Sequence, residues 1–109
     1  MDNQLRALCD PVRREILLSL SAGEAKAGDI AAAFSLTRPA ISHHLKILSD
    51  AGLISMRRRA QARIYSINTE AVARLRVDFN QFWDNALPKL KAVVESDLKA
   101  KRRRRKRSG

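Results

Sequence analysis

The chain has 109 residues, 45% of them hydrophobic and 30% charged, which fits one small folded domain and is too short for two independent cores. Twenty-two Lys and Arg against eleven Asp and Glu leave a formal charge of +11, so a polyanion is the expected partner ahead of a neutral or cationic one. No apolar run approaches the roughly 20 residues of a membrane helix, and the opening MDNQLRALCD lacks the charged start and apolar centre of a signal peptide, so the expected location is the cytoplasm, with no membrane partner.

In chain order, a short helix containing Leu5 and Leu8 comes first. Asp10-Pro11 then starts a second helix, because the Asp oxygen caps orphan amides and Pro at the first helical position loses nothing by lacking an N–H. Ile16, Leu17 and Leu20 form its apolar face and Gly23 ends it. A compact helix over Asp29 to Phe34 follows, with Ile30, Ala33 and Phe34 inward. Ser35-Leu36 turns the chain to a new cap at Thr37, Pro39 falls in the first helical turn, and Ile41, Leu45 and Leu48 recur at spacings of four and three before Gly52 closes the helix. Leu53 to Met56 and Arg63 to Ile67 alternate as the two strands of a β-hairpin. Asn68 or Thr69 caps a long last helix whose apolar positions, Val72, Leu75, Phe79, Phe82, Ala86, Leu90 and Val93, keep helical period, with a kink expected at Pro88.

Residues 99–109 are a separate object. Eight basic residues and no acid stand between positions 99 and 107, leaving fourteen basic against eleven acidic residues in 1–98. Lys99, Lys101, Arg102, Arg103, Arg104, Arg105, Lys106 and Arg107 are expected to form a disordered arm that grips phosphates without reading sequence, because like charges at this density repel in a helix. The expected division is a folded domain over 1–98 and a polybasic tail over 99–109.

A small helix, a short turn, a second helix and an arginine-rich hairpin make a mainly α winged helix-turn-helix with a small β-hairpin and a long C-terminal helix, a fold whose second helix enters the major groove of DNA. Turning roughly 100° per residue from Ile41 puts Leu45 near 40° and Leu48 near 340°, whereas Pro39, His43 and Lys46 fall between roughly 140° and 200°. The outer face therefore carries Pro39, His43 and Lys46, with Ser42 on its flank and Thr37 and Arg38 at the entering end, all placed to meet phosphates or base edges. His44, near 300°, borders the buried face and is expected to pack there. Arg57, Arg58, Arg59 and Arg63 crowd the hairpin tip and repel one another unless a polyanion offsets them, which points to phosphate or minor-groove contact.

Phe79, Phe82, Trp83 and Leu90 present more apolar surface than so small a domain covers alone, so a homodimer is expected. Four unclustered glycines and no Ser, His and Asp constellation exclude a recognisable catalytic site. The single Cys9 cannot close an intramolecular disulfide and the two histidines are adjacent, so neither metal nor cofactor is expected. The alternative function is a sequence-indifferent, nucleoid-type DNA binder driven by the tail.

The stretches Leu8-Cys9-Asp10-Pro11-Val12-Arg13-Arg14-Glu15-Ile16-Leu17, Gly28-Asp29-Ile30-Ala31, Arg38-Pro39-Ala40-Ile41-Ser42-His43-His44-Leu45-Lys46-Ile47-Leu48 and Ala51-Gly52-Leu53-Ile54 resemble the ArsR/SmtB family of bacterial winged-helix repressors, closest to its SdpR-like branch. The resemblance implies a homodimer built from the first and last helices, which adds Leu5, Leu8 and Leu75 to the expected interface. It also implies repression from an inverted-repeat operator, with DNA contacts at Arg38, Pro39, Ser42 and His43. The chain departs from metal-sensing members, having Asp29-Ile30-Ala31-Ala32-Ala33-Phe34 where they carry a Cys-x-Cys pair and no His on the final helix. The hairpin has Ala60-Gln61-Ala62 where a glycine is usual.

Overall fold

The computed structural model describes residues 1–108, and their side chains apart from those of Ala86 and residues 106–108. The elements are α1 (Asp2–Ala7), α2 (Pro11–Leu20), β1 (Ala25–Lys26), α3 (Ala27–Ala33), α4 (Arg38–Asp50), β2 (Ile54–Arg59), β3 (Ala62–Ile67), α5 (Thr69–Gln81), a π-helical turn (Phe82–Ala86) and α6 (Pro88–Ser108). They fall into two compact units, Met1–Leu75 and the remainder from Arg76 onward.

Local chemistry sets the ends of the helices in the first unit. Asp10 Oδ1 accepts from the amides of Val12 at 2.8 Å and Arg13 at 3.3 Å, with Pro11 at the first helical position of α2. Thr37 Oγ1 accepts from the Ala40 amide at 3.3 Å and starts α4. Gly52, at φ +76°, ends α4: its amide donates to Ser49 O at 2.9 Å and that of Leu53 to Leu48 O at 3.1 Å. These paired bonds use otherwise orphaned carbonyls and need a left-handed residue, which glycine adopts without penalty.

Ile16 and Leu20 of α2, Ile30 of α3, Ile41, Leu45 and Leu48 of α4, and Leu53 and Ile54 at the hairpin's base are buried in one core. Each contributes about 1.5–3 kcal/mol by leaving water. Val72 and Leu75 of α5 pack against its margin. The result is a winged helix-turn-helix, with α3 and α4 as the helical pair and β2 and β3 as the wing.

The sheet has a third strand that the sequence reading did not contain. β1, two residues long, pairs antiparallel with β3 (Ala25 with Tyr65, Lys26 with Ile64), giving the order β1-β3-β2. The wing strands are longer than expected, running to Arg59 and from Ala62, so Arg57, Arg58 and Arg59 lie within β2 and the turn is Ala60-Gln61. Ala60 there has φ +56°. Helix α3 begins at Ala27, so its inward face is Ala27, Ile30 and Ala31, with Phe34 half-buried at its end. Ala33, expected inward, is exposed, because it lies two residues past Ala31 and about 200° around the helix.

Two expectations for the second unit are corrected. The long helix is interrupted rather than kinked: α5 gives way to the π-turn, Leu87 leaves helical geometry at φ −123° and ψ 37°, and Pro88 begins α6. Proline disfavours the helical conformation of the residue before it and cannot donate to the preceding turn. The basic run expected to be disordered is helical through Ser108. Lys and Arg are good helix formers, cations are favourable at a helix C-terminus, and Lys101 Nζ lies 3.1 Å from Asp97 Oδ2 one turn earlier. The side chains of Lys106 and Arg107 are outside the described residues.

Candidate nucleic-acid interface

Thr37, Arg38, Pro39, Ser42, His43 and Lys46 are all exposed on α4 or at its start, and His44 is half-buried, as the helical arithmetic requires. Thr37 spends its hydroxyl oxygen on the helix cap. Strand alternation divides the wing. Ile54, Met56 and Arg58 share one face with their cross-strand partners Ile67, Tyr65 and Arg63, while Ser55, Arg57 and Arg59 share the other with Ser66, Ile64 and Ala62.

The first of these faces meets α4. Ser42, Lys46 and Ser49 together with Met56, Arg63 and Tyr65 line most of one open groove of about 630 Å³. A second cleft, of about 410 Å³, places Arg38 with Lys26, Asp29, Gln61 and Arg63. Arg63 borders both, so it joins the entering end of α4 to its middle. Gly28 leaves room for Arg38: a Cβ there would stand 2.7 Å from Arg38 Nη1. Pro39 and His43 line neither cavity and face outward from the helix.

Met56, Tyr65, Lys26 and Gln61 were not among the sequence candidates. The alternation of the strands from Ile54 and Arg63 was a usable signal for Met56 and Tyr65. Nothing local signalled Lys26, because β1 exists only through its pairing with β3.

Arg57 stands apart from the other wing arginines. Its Nη1 and Nη2 each donate at 2.7 Å to the two carboxylate oxygens of Glu24. Those hydrogen bonds hold Glu24 below the usual carboxylate range against the opposing effect of desolvation, and they raise Arg57 further. The crowding of four arginines is therefore relieved in part within the chain. Asp10 also titrates low: desolvation opposes this, but the amides of Arg13 and Val12 and the charge of Arg13 outweigh it.

The expected interface residues divide between the units. In the first, Leu5 is half-buried, and Leu8 and Leu75 pack against the core. In the second, Trp83 is half-buried, whereas Phe79, Phe82 and Leu90 are 43%, 40% and 49% exposed, too much for side chains that cover one another. Leu98, at 50%, extends the exposed apolar residues along α6. No group of three or more His, Cys, Asp or Glu is gathered as a metal site among the described residues, and no helix there is long and apolar enough to cross a membrane.

Comparison with known proteins gives three kinds of match. Residues 10–56 match the model of the bacterial regulatory protein, arsR family. The chain is 49% identical over 69 residues to the transcriptional repressor SdpR of Bacillus subtilis (strain 168), covering 63% of this chain and 77% of that one. It is similar to the crystal structure of a possible transcriptional regulator for arsenical resistance, with 37% identity, a TM-score of 0.69, and coverage of 83% of this chain and 94% of the other. It is also similar to the solution structure of the homodimeric winged helix-turn-helix DNA-binding domain of Mb0332 from Mycobacterium bovis, a possible ArsR-family transcriptional regulator. That match has 31% identity and a TM-score of 0.64, and covers 79% of this chain and 80% of that one.

Proposed function

The chain belongs to the arsR family of bacterial regulatory proteins, and from that premise we propose that it is a sequence-specific, DNA-binding transcriptional repressor that acts as a homodimer on an inverted-repeat operator. The observation that carries this reading is the shared groove: Ser42 and Lys46 from α4 and Arg63 from the wing line one concave surface. Base-edge contact by a helix and phosphate contact by a hairpin are thereby directed at the same duplex. Thr37, Arg38, Pro39, Ser42, His43 and Lys46 form the reading surface, and Arg58, Arg59 and Arg63 the gripping one.

Dimerisation unites two such surfaces. Exposed Phe79, Phe82 and Leu90 are its apolar contribution from the second unit, with Leu5 from α1 and Leu8 at its C-cap. The basic run from Lys99 to Arg107 adds sequence-independent affinity. The repressor works in the cytoplasm, needs no metal or cofactor and carries out no catalysis, in keeping with the missing Cys-x-Cys pair and the absence of His from the last helix.

The test is a footprint of the purified protein on the DNA upstream of its own gene, with affinity for the protected site compared with random duplex at fixed salt. Protection of an inverted repeat, bound at least a thousandfold more tightly than random duplex, with light scattering at twice the chain mass, is the expected result. Equal affinity for all duplexes would favour the nucleoid-type alternative, which the basic run by itself would explain.

A further inference from the structure

We propose that Glu24 is a positioning residue for the wing: its carboxylate holds Arg57 as a brace across the central strand, so that Arg57 makes no DNA contact and Arg58, Arg59 and Arg63 are the cations the hairpin offers to phosphate. The inference rests on the reading that the hairpin grips DNA.

The register places the brace where it has leverage. In the order β1-β3-β2, Arg57 is paired with Ile64, and Ile64 with Lys26 of β1. That row is the last with three strands. Beyond it only Arg58 with Arg63 and Arg59 with Ala62 remain before the turn, and a two-stranded ribbon is marginal by itself in water. Arg57 stands on the last supported row of β2, and Glu24 on the residue that leads into β1. Their bidentate contact, 2.7 Å at both oxygens, ties one edge of the sheet to the other, over β3, at the base of the unsupported ribbon.

Alternation then fixes the consequence. Arg57 projects from the face opposite Arg58 and Arg63, and of the wing arginines Arg63 alone lines the groove with Ser42 and Lys46. With both terminal nitrogens committed to a fixed carboxylate, Arg57 releases no counterion from DNA. Its neighbours do. Because Glu24 and Arg57 are both about half exposed, the brace is accessible to solvent ions, and the wing's hold on its position weakens as salt rises.

The experiment is a set of salt titrations of the full chain on the operator and on random duplex, read by fluorescence anisotropy. Arg58→Gln and Arg63→Gln should each lower the slope of log affinity against log salt by about 0.9 per chain, whereas Arg57→Gln should leave the slope on random duplex unchanged and reduce the preference for operator. Glu24→Gln should raise the slope by about the same 0.9, since it frees Arg57. Arg57→Lys keeps the charge but not the two-point contact, so it should lose operator preference like Arg57→Gln. The double exchange Glu24→Arg with Arg57→Glu should restore that preference. A slope for Arg57→Gln that falls as far as that for Arg58→Gln, with full function in Arg57→Lys, would make Arg57 a phosphate contact and overturn the proposal. If Arg58→Gln and Arg63→Gln also leave the slope unchanged, the hairpin does not grip DNA and the reading beneath the proposal falls with it.

Discussion

Arg13 and His44, on different helices, share a hydrogen bond: Arg13 Nη1 lies 3.4 Å from His44 Nδ1. The guanidinium has no acceptor, so the bond forms when His44 Nδ1 is the unprotonated ring nitrogen. The same Arg13 donates through Nε to Ala7 O at 2.6 Å and through Nη2 to Arg6 O at 3.4 Å. One cation thus joins the end of α1, the start of α2 and the half-buried side of α4.

Arg13→Ala should therefore cost more than a surface arginine. Loss of the charge-assisted bond to the partly buried Ala7 carbonyl is worth roughly 2 kcal/mol, seen as a lower urea midpoint. Operator affinity should fall as well, since α4 loses a constraint on its orientation. A variant with wild-type stability and affinity would show that the junction holds nothing.

Reading and gripping should separate by mutation. Ser42→Ala or His43→Ala should lose about 1–3 kcal/mol at the operator and little on random DNA, while Arg58→Ala or Arg59→Ala should weaken all duplexes alike and flatten the salt dependence. Competition binding at one salt concentration measures both. Equal loss of selectivity from the two sets would contradict this division of labour.

Ala60 offers a stability test of the wing turn. A left-handed conformation costs an L-residue roughly 1–2 kcal/mol, and glycine escapes that cost while losing about 0.4–1 kcal/mol to greater freedom of the unfolded chain. With Ala60 at φ +56°, Ala60→Gly should gain up to about 1 kcal/mol and raise Tm by several degrees. A lower Tm would mean that the methyl group makes contacts the turn depends on.

Truncation after Leu98 tests the basic run. If half of its eight cations meet phosphate, the run adds roughly three or four to the salt slope per chain. The truncated protein should lose that increment and non-specific affinity while keeping dimerisation and operator preference. Superimposable slopes for the intact and truncated proteins would mean that the run touches no DNA.

The legible part of this protein was the part written in local periodicity and capping. Asp10-Pro11, Thr37 and Gly52 delimit helices through bonds a few residues long, and the three- and four-residue spacing of Ile41, Leu45 and Leu48 sorts α4 into a buried face and an outward one carrying Pro39, His43 and Lys46. The family resemblance lay in the same stretches. The helical state of the basic run is not legible in its charge density, because the helix propagates into it from Pro88 and the pair of Lys101 with Asp97 anchors its start. Tertiary structure alone decided the rest. β1 has no pattern of its own and exists because β3 offers it an edge, the Glu24 and Arg57 contact spans 33 positions of sequence, and the meeting of Ser42 and Lys46 with Arg63 depends on how the hairpin packs beside α4. Such pairings arise when the core closes and brings distant backbone edges and charges together, and no window of sequence contains both partners.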